Sequence, residues 1–189
     1  MEHWDRLWPG GYTFAYADGL FRPSTDTFLL GAFPRLRRGM TVCDLGAGTG
    51  LLGLLLLARE PELTVTGVEL QPAACGIFRR TAAENGLEDR LRCLEGDLAA
   101  RALRWGGSFC LVHRPDRLAD VMEELRRVRL EPKRLRFVHH TAAASPSLFL
   151  LEARLGGRPG LTAEPPLLLR GPDGGETEDV RRAYFRDKE

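Results

Sequence analysis

Three acidic residues stand out by where they fall. Asp44, Glu69 and Asp97 each come at or near the end of a short β-type run: Thr41-Val42-Cys43-Asp44-Leu45, Thr64-Val65-Thr66-Gly67-Val68-Glu69-Leu70, and Leu91-Arg92-Cys93-Leu94-Glu95-Gly96-Asp97. The first run passes into Gly46-Ala47-Gly48-Thr49-Gly50, with glycine at alternate positions, and then into an apolar stretch over residues 51–57. A turn of glycines lets the backbone approach a ligand where a Cβ would collide. A helix opening after it aims free N–H groups into the turn. Carboxylates at successive strand ends are acceptors for hydroxyl and amino groups. The chemistry of this set is the holding of a nucleoside.

Two registers of the loop compete. Gly48-Thr49-Gly50-Leu51-Leu52-Gly53 fits the GxGxxG of dinucleotide folds, which alone is a weak match. The other register is Asp44-x-Gly46-x-Gly48-x-Gly50, as in S-adenosylmethionine (SAM) methyltransferases. A carboxylate just before the glycines repels a pyrophosphate, yet it can hold an ammonium group directly or through water. SAM carries an ammonium and a sulfonium and no phosphate, so Asp44 favours SAM over NAD. Glu69 suits ribose hydroxyls in either cofactor, and Asp97 suits an adenine amino group.

The elements that must position these residues follow from periodicity. The spacing predicts strands over residues 41–45, 64–70 and 91–97, with helices over about 51–59 and 72–85 between them. Strand, helix, strand, helix, strand demands a parallel α/β sheet. Upstream, Tyr12, Phe14 and Tyr16 alternate as in a strand or hairpin, and Pro23-Ser24-Thr25-Asp26 offers an N-cap to a short apolar helix over residues 27–33, stopped by Pro34. Downstream, residues 99–105 read as a short helical piece. Strands are expected over 108–113, 135–140 and 147–155, and an amphipathic helix over 117–128, with loops at 131–134 and 141–146. The tail has little periodicity beyond Leu167-Leu168-Leu169. The expected organisation is an aromatic extension over 1–22 and one domain over 23–189.

Composition limits the function classes. Hydrophobic residues are 43% and charged residues 28%, ordinary for a globular chain. No apolar run is long enough to span a bilayer and Met1-Glu2-His3-Trp4-Asp5 is not a secretory leader, so a cytoplasmic location and no membrane partner are expected. The four cysteines lack CxxC spacing and sit in apolar segments, which reads as reduced core thiols. His139-His140 has no third ligand spaced to join it, so no metal site is expected. The net charge of +1 is unevenly spread: residues 99–158 carry +6, a candidate nucleic-acid face or an ordinary solvated one.

Longer stretches carry a resemblance. Leu20-Phe21-Arg22-Pro23-Ser24-Thr25-Asp26-Thr27-Phe28-Leu29-Leu30, the Asp44–Gly50 loop, Gly67-Val68-Glu69, Glu95-Gly96-Asp97-Leu98, His113-Arg114-Pro115-Asp116 and Glu131-Pro132-Lys133-Arg134 together resemble the bacterial tRNA adenine-N6-methyltransferases that modify valine tRNA. The resemblance implies a Rossmann-like α/β fold, a mostly parallel sheet flanked by helices. It also implies methyl transfer from SAM to an exocyclic adenine amine, with tRNA as substrate. The implied cofactor set is Thr25, Asp44, Gly46, Ala47, Gly48, Thr49, Gly50, Glu69, Leu70, Asp97 and Leu98.

One part of the family pattern is missing. These enzymes carry an Asn-Pro-Pro-Tyr type segment after the fourth strand, whose amide and carbonyl hold the target amine while its ring stacks on the flipped base. The sequence contains no Asn-Pro-Pro, and its one asparagine is Asn85. The fourth strand and catalytic loop are therefore expected to be lacking, and no catalytic residue is assigned. An alternative is a shortened, inactive relative that binds SAM or RNA. The missing strand would leave an inner edge beside residues 41–45 open. The expectation is that 109–113 slides into that place, pairing Cys110 with Cys43 or Val42.

Overall fold

In a computed structural model, residues 1–20, 22–96 and 103–188 are described. The chain divides into two compact units, Met1–Ala102 with Tyr184–Glu189, and Leu103–Ala183.

The first unit opens with an antiparallel hairpin, β1 (Glu2–Arg6) and β2 (Thr13–Ala17). The alternation of Tyr12, Phe14 and Tyr16 is thus that of a hairpin strand. Helix α1 (Thr25–Ala32) is followed by β3 (Thr41–Leu45), α2 (Leu51–Arg59), β4 (Thr64–Glu69), α3 (Pro72–Glu84) and β5 (Leu91–Glu95). The three strands form a parallel sheet in the order β3-β4-β5, as the alternation with helices requires. The core lies on α2: Leu54, Leu55, Leu56 and Leu57 are all buried, with Val65, Phe78 and Leu91. A helix apolar all round must be covered on every side. Here α1 covers part of it, with Gly31 pressed to Leu55, and the hairpin covers more through Phe14. The hairpin is tied to α3 by Asn85, whose Nδ2 donates to the Thr13 and Thr81 carbonyls and whose Oδ1 accepts from Thr13 N–H at 2.8 Å. The single asparagine is therefore a structural clamp.

The second unit is a mixed sheet. Its elements are β6 (Ser108–His113), a 3-10 turn (Pro115–Arg117), α4 (Leu118–Arg127), β7 (Leu130–His139), β8 (Pro146–Leu155), β9 (Thr162–Ala163), β10 (Leu167–Leu168) and α5 (Glu178–Ala183). The order is β10-β7-β8-β6, with β9 also pairing β7. Leu125 of α4 packs on Leu135, Phe149 and Leu151.

Four expectations are corrected here. Cys110 pairs with Glu152 of β8, so β6 does not fill a place beside β3. The reason is the apolar face that β6 shares with its own sheet, where Phe109 and Leu111 pack against the β7–β8 cluster along a six-pair antiparallel ladder. Residues 131–134 are strand and not loop, because Pro132 is accommodated at a register irregularity between Pro132 and Arg134. Residues 103–105 are not helical, since Gly106 and Gly107 already turn the chain there, and the rest of the expected 99–105 piece lies outside the described residues. Finally, only Cys75 is a fully buried thiol; Cys43 is exposed, because strand alternation gives the buried side of β3 to Asp44.

Candidate nucleoside-binding site

Gly46 and Gly48 adopt φ values of 73° and 55°, a region that L side chains avoid. A Cβ built on either meets nothing within 4 Å, so both face open space. Gly50 and Gly67 do different work. A Cβ on Gly50 would overlap the Phe78 ring, and one on Gly67 would stand 2.5 Å from it and 2.7 Å from the Ala47 Cβ. Phe78 of α3 thus packs directly onto the backbone of the loop and of β4. The glycines divide into two that leave room and two that let an aromatic ring back the loop.

Hydrogen bonds fix the turn. Gly46 and Ala47 N–H both donate to the Val68 carbonyl, at 2.9 and 3.1 Å, and Gly50 N–H donates to the Ala47 carbonyl at 2.9 Å. The Glu69 carboxylate takes part: Oε2 accepts from Gly48 N–H at 2.9 Å and Oε1 from Gln71 N–H at 2.8 Å. Glu69 is a brace of the loop. Each of its oxygens retains a further lone pair for a ligand hydroxyl.

Asp44 is the electrostatic centre. It is 9% exposed, and its Oδ2 is buried with no hydrogen-bond partner among the described residues. Burial, reinforced by the negative charge of Glu69, pushes its carboxyl up to about 6. An unpartnered buried carboxylate oxygen is costly. A bound cation removes that cost, so the cradle fits a ligand with a positive group and leaves room for its atoms at Gly46 and Gly48.

The remaining expected residues are distributed as follows. Ala47 and Thr49 are buried within the turn, and Leu70 is 65% exposed immediately after Glu69. Thr25 stands in the first turn of α1, where its hydroxyl accepts from Tyr184 O–H at 3.1 Å. Asp97 and Leu98 lie outside the described residues. Sequence reasoning missed Gln71, Phe78 and Tyr184. Phe78 was signalled only as one apolar position of a helix, and Tyr184 reaches Thr25 from 159 residues away, with no local pattern to mark it.

Other candidates find structural partners. His139 Nδ1 lies 2.7 Å from the Ala144 carbonyl, and no group of three or more metal-ligating side chains occurs among the described residues. Arg114 N–H donates to His113 Nδ1 at 2.8 Å and its side chain pairs with Asp116 at 3.3 Å. Burial pushes the Cys93 and Cys110 thiols up to about 12, so both are protonated and poor nucleophiles at neutral pH.

Comparison with known proteins agrees with this geometry. Residues 24–105 match the family model described as the methyltransferase small domain. The chain is 33% identical over 95 residues to a tRNA1(Val) (adenine(37)-N6)-methyltransferase of Yersinia enterocolitica, covering 47% of this chain and 38% of the relative. It is 35% identical over 108 residues to the protein of the same name from Dickeya chrysanthemi, covering 54% of this chain and 43% of the relative. The chain therefore spans less than half the length of these relatives. Among solved structures it is similar to a predicted O-methyltransferase, Atu636 from Agrobacterium tumefaciens, with a TM-score of 0.77 and 21% identity, over 85% of this chain and 96% of that one. The fold is that of the α/β methyltransferases.

Proposed function

We propose that the chain binds SAM at the glycine loop and serves methyl transfer to the exocyclic amine of an adenine in tRNA. The observation that carries this reading is the unpartnered buried oxygen of Asp44, two residues before a glycine turn with open faces. NAD offers no ammonium to that oxygen and brings a pyrophosphate instead. Bound SAM supplies an electrophilic methyl on a sulfonium, and its passage to an adenine amine leaves a thioether and one proton.

The roles of the chain's own residues follow from their surroundings. Asp44 holds the ammonium. Glu69 accepts the ribose hydroxyls with the lone pairs its two backbone donors leave over. Leu70 offers apolar surface for the adenine ring, and Gly46 and Gly48 keep the backbone close to the ligand. Thr25, Ala47, Thr49 and Gly50 complete the site on the resemblance, with Asp97 and Leu98 as further cofactor residues. The names of the matching relatives support tRNA as the substrate class.

A second reading rests on a specific observation. With no Asn-Pro-Pro in the sequence, the acceptors that hold the target amine are not written in the family's form. An inactive relative that binds SAM or RNA would look the same at the glycine loop.

The test is calorimetry of SAM binding together with methyl transfer to unmodified valine tRNA, both on the 189-residue chain. Binding with transfer supports the enzyme, and binding without transfer supports the inactive relative. NAD binding in place of SAM would overturn the cofactor assignment.

A further inference from the structure

One end of the second unit carries a tryptophan in solvent among arginines. Trp105 is 68% exposed. Burying an indole is among the larger apolar gains open to a fold, so a ring left outside requires explanation.

Three segments meet at this ring. Gly106 N–H donates to the Leu155 carbonyl at 3.0 Å, and Gly156 N–H donates to the Arg129 carbonyl at 2.9 Å. These bonds join the turn before β6, the residue after α4 and the end of β8. Gly156, at φ 68°, packs on the indole, and a Cβ there would stand 2.2 Å from it. The Arg129 guanidinium lies over the ring, 5.3 Å from its centroid. Arg154 Nε donates to the Gly106 carbonyl at 2.9 Å, which fixes its guanidinium beside the residue that follows the tryptophan. Backbone and cation thus hold the ring in place, while most of its surface stays open.

Arg129 stands where a glycine is ordinary. It follows the C-cap of α4 at φ 64°, the left-handed position that helix ends usually give to glycine. An arginine there carries backbone strain that glycine would not. No carboxylate repays it. Arg104, Arg129 and Arg154 are all exposed, and none has an acidic partner among the described residues. The acid across the sheet from Arg154, Glu131, pairs with Arg126 instead.

These features select a partner. An open indole offers a π-face on which any nucleic-acid base stacks. Guanidinium groups without carboxylates offer forked donors to phosphate. An apolar protein surface would cover the ring but strip water from cations that it cannot pair. A base must be free of a duplex to reach such a ring.

We propose that Trp105, Arg129 and Arg154 form a platform for a single-stranded stretch of the RNA substrate, with a base on the indole and neighbouring phosphates on the guanidinium groups. Arg104 adds a third cation. The proposal rests on the reading of RNA as the substrate.

The test is binding of labelled, unmodified valine tRNA to the full chain, to W105A and R129G, and to R37A, an exposed arginine of the first unit that serves as the charge control. Thermal denaturation and SAM calorimetry accompany each variant. Affinity for tRNA is expected to fall at least about fivefold in W105A and about threefold in R129G, and by less than about twofold in R37A. R129G relieves the strain at φ 64°, so its melting temperature should equal or exceed that of the parent. SAM affinity should not change. A second probe, oligouridylate, should quench tryptophan fluorescence in the parent and not in W105A. If oligouridylate quenches in this way while tRNA does not bind, the platform stands and the tRNA reading falls. Three outcomes overturn the platform: tRNA affinity in W105A and R129G equal to that of R37A, losses that appear only together with a lower melting temperature, and unchanged tRNA binding in a W105A variant that loses self-association in sedimentation. The last would make the patch a protein contact.

Discussion

Asp44 places function and stability in opposition. Its carboxyl is raised from an ordinary 3.8 to about 6, first by burial and then by Glu69. A carboxyl raised on folding takes up its proton in the native state before the unfolded one. Native stability from this group therefore increases as pH falls from about 6 to about 4, and is lost again as pH rises through 6. The shift corresponds to about 3 kcal/mol at most. D44N removes the buried charge, so its melting temperature at pH 7 is expected to exceed that of the parent, by calorimetry without ligand. The same variant is expected to lose SAM binding by at least tenfold. Parent SAM affinity should fall by about tenfold per pH unit below the Asp44 pKa, where the oxygen that holds the ammonium becomes protonated. A pH-independent affinity between 5 and 8 would remove Asp44 from the site. Glu69 behaves in the opposite sense. Both its oxygens accept backbone N–H bonds, so in E69Q the amide NH2 must face a donor. The expected cost is about 1–3 kcal/mol in urea denaturation, even without cofactor. The strand-end positions of Asp44 and Glu69 and the open glycines were legible in the sequence from type and order alone. That Glu69 also braces the loop was not, because its partners are backbone groups and carry no residue signature.

At the level of elements, packing decides which glycines tolerate change. G67A places a Cβ 2.5 Å from the Phe78 ring and 2.7 Å from Ala47, so the ring or the strand must move. Overpacking of this kind costs about 1–3 kcal/mol. Thermal denaturation of G67A should therefore show a clear loss, and the smaller side chain of F78L should restore part of it. In the second unit, Arg134 of β7 is 12% exposed and bonds Glu152 at 2.5 Å and Glu164 at 2.7 Å. R134M would leave two half-buried carboxylates facing each other, at a cost of about 3 kcal/mol at pH 7. Urea denaturation at pH 7 checks this. These two units also mark how far the elements could be read. In the first, β3, α2, β4, α3 and β5 fall where alternation and helical periodicity put them, within one or two residues. In the second, β6 and β8 were legible, β7 begins five residues before the expected 135–140, and the pairing was not legible. An antiparallel ladder such as β6–β8 joins residues about forty apart, and a strand's apolar pattern does not say which neighbour shares its face. The two-residue strands β9 and β10 each pair with β7 at two positions and are too short to carry a period.

On the scale of the whole molecule, the question is which surface meets an RNA backbone. The block 99–158 has the largest positive excess in the sequence, and several of its arginines are paired locally. Arg117 pairs with Asp120, Arg126 with Glu131, Arg127 with Glu124, Arg134 with Glu152 and Glu164, and Arg136 with Asp179. Exposed pairs of this kind add little stability, but each cancels a charge that would otherwise attract phosphate. The excess of +6 already counts the acids within the block, and Glu164 and Asp179 outside it lower it by two. The total charge is +1, so long-range attraction for RNA is weak. Binding must then rest on a few local contacts. Counterion release turns that number into a measurement. Each phosphate neutralised on a single strand contributes about −0.7 to the slope of log affinity against log salt concentration. Three contacts give a slope of about −2. A slope of about −5 or steeper would require seven or more phosphates and would place the RNA on a broad basic face.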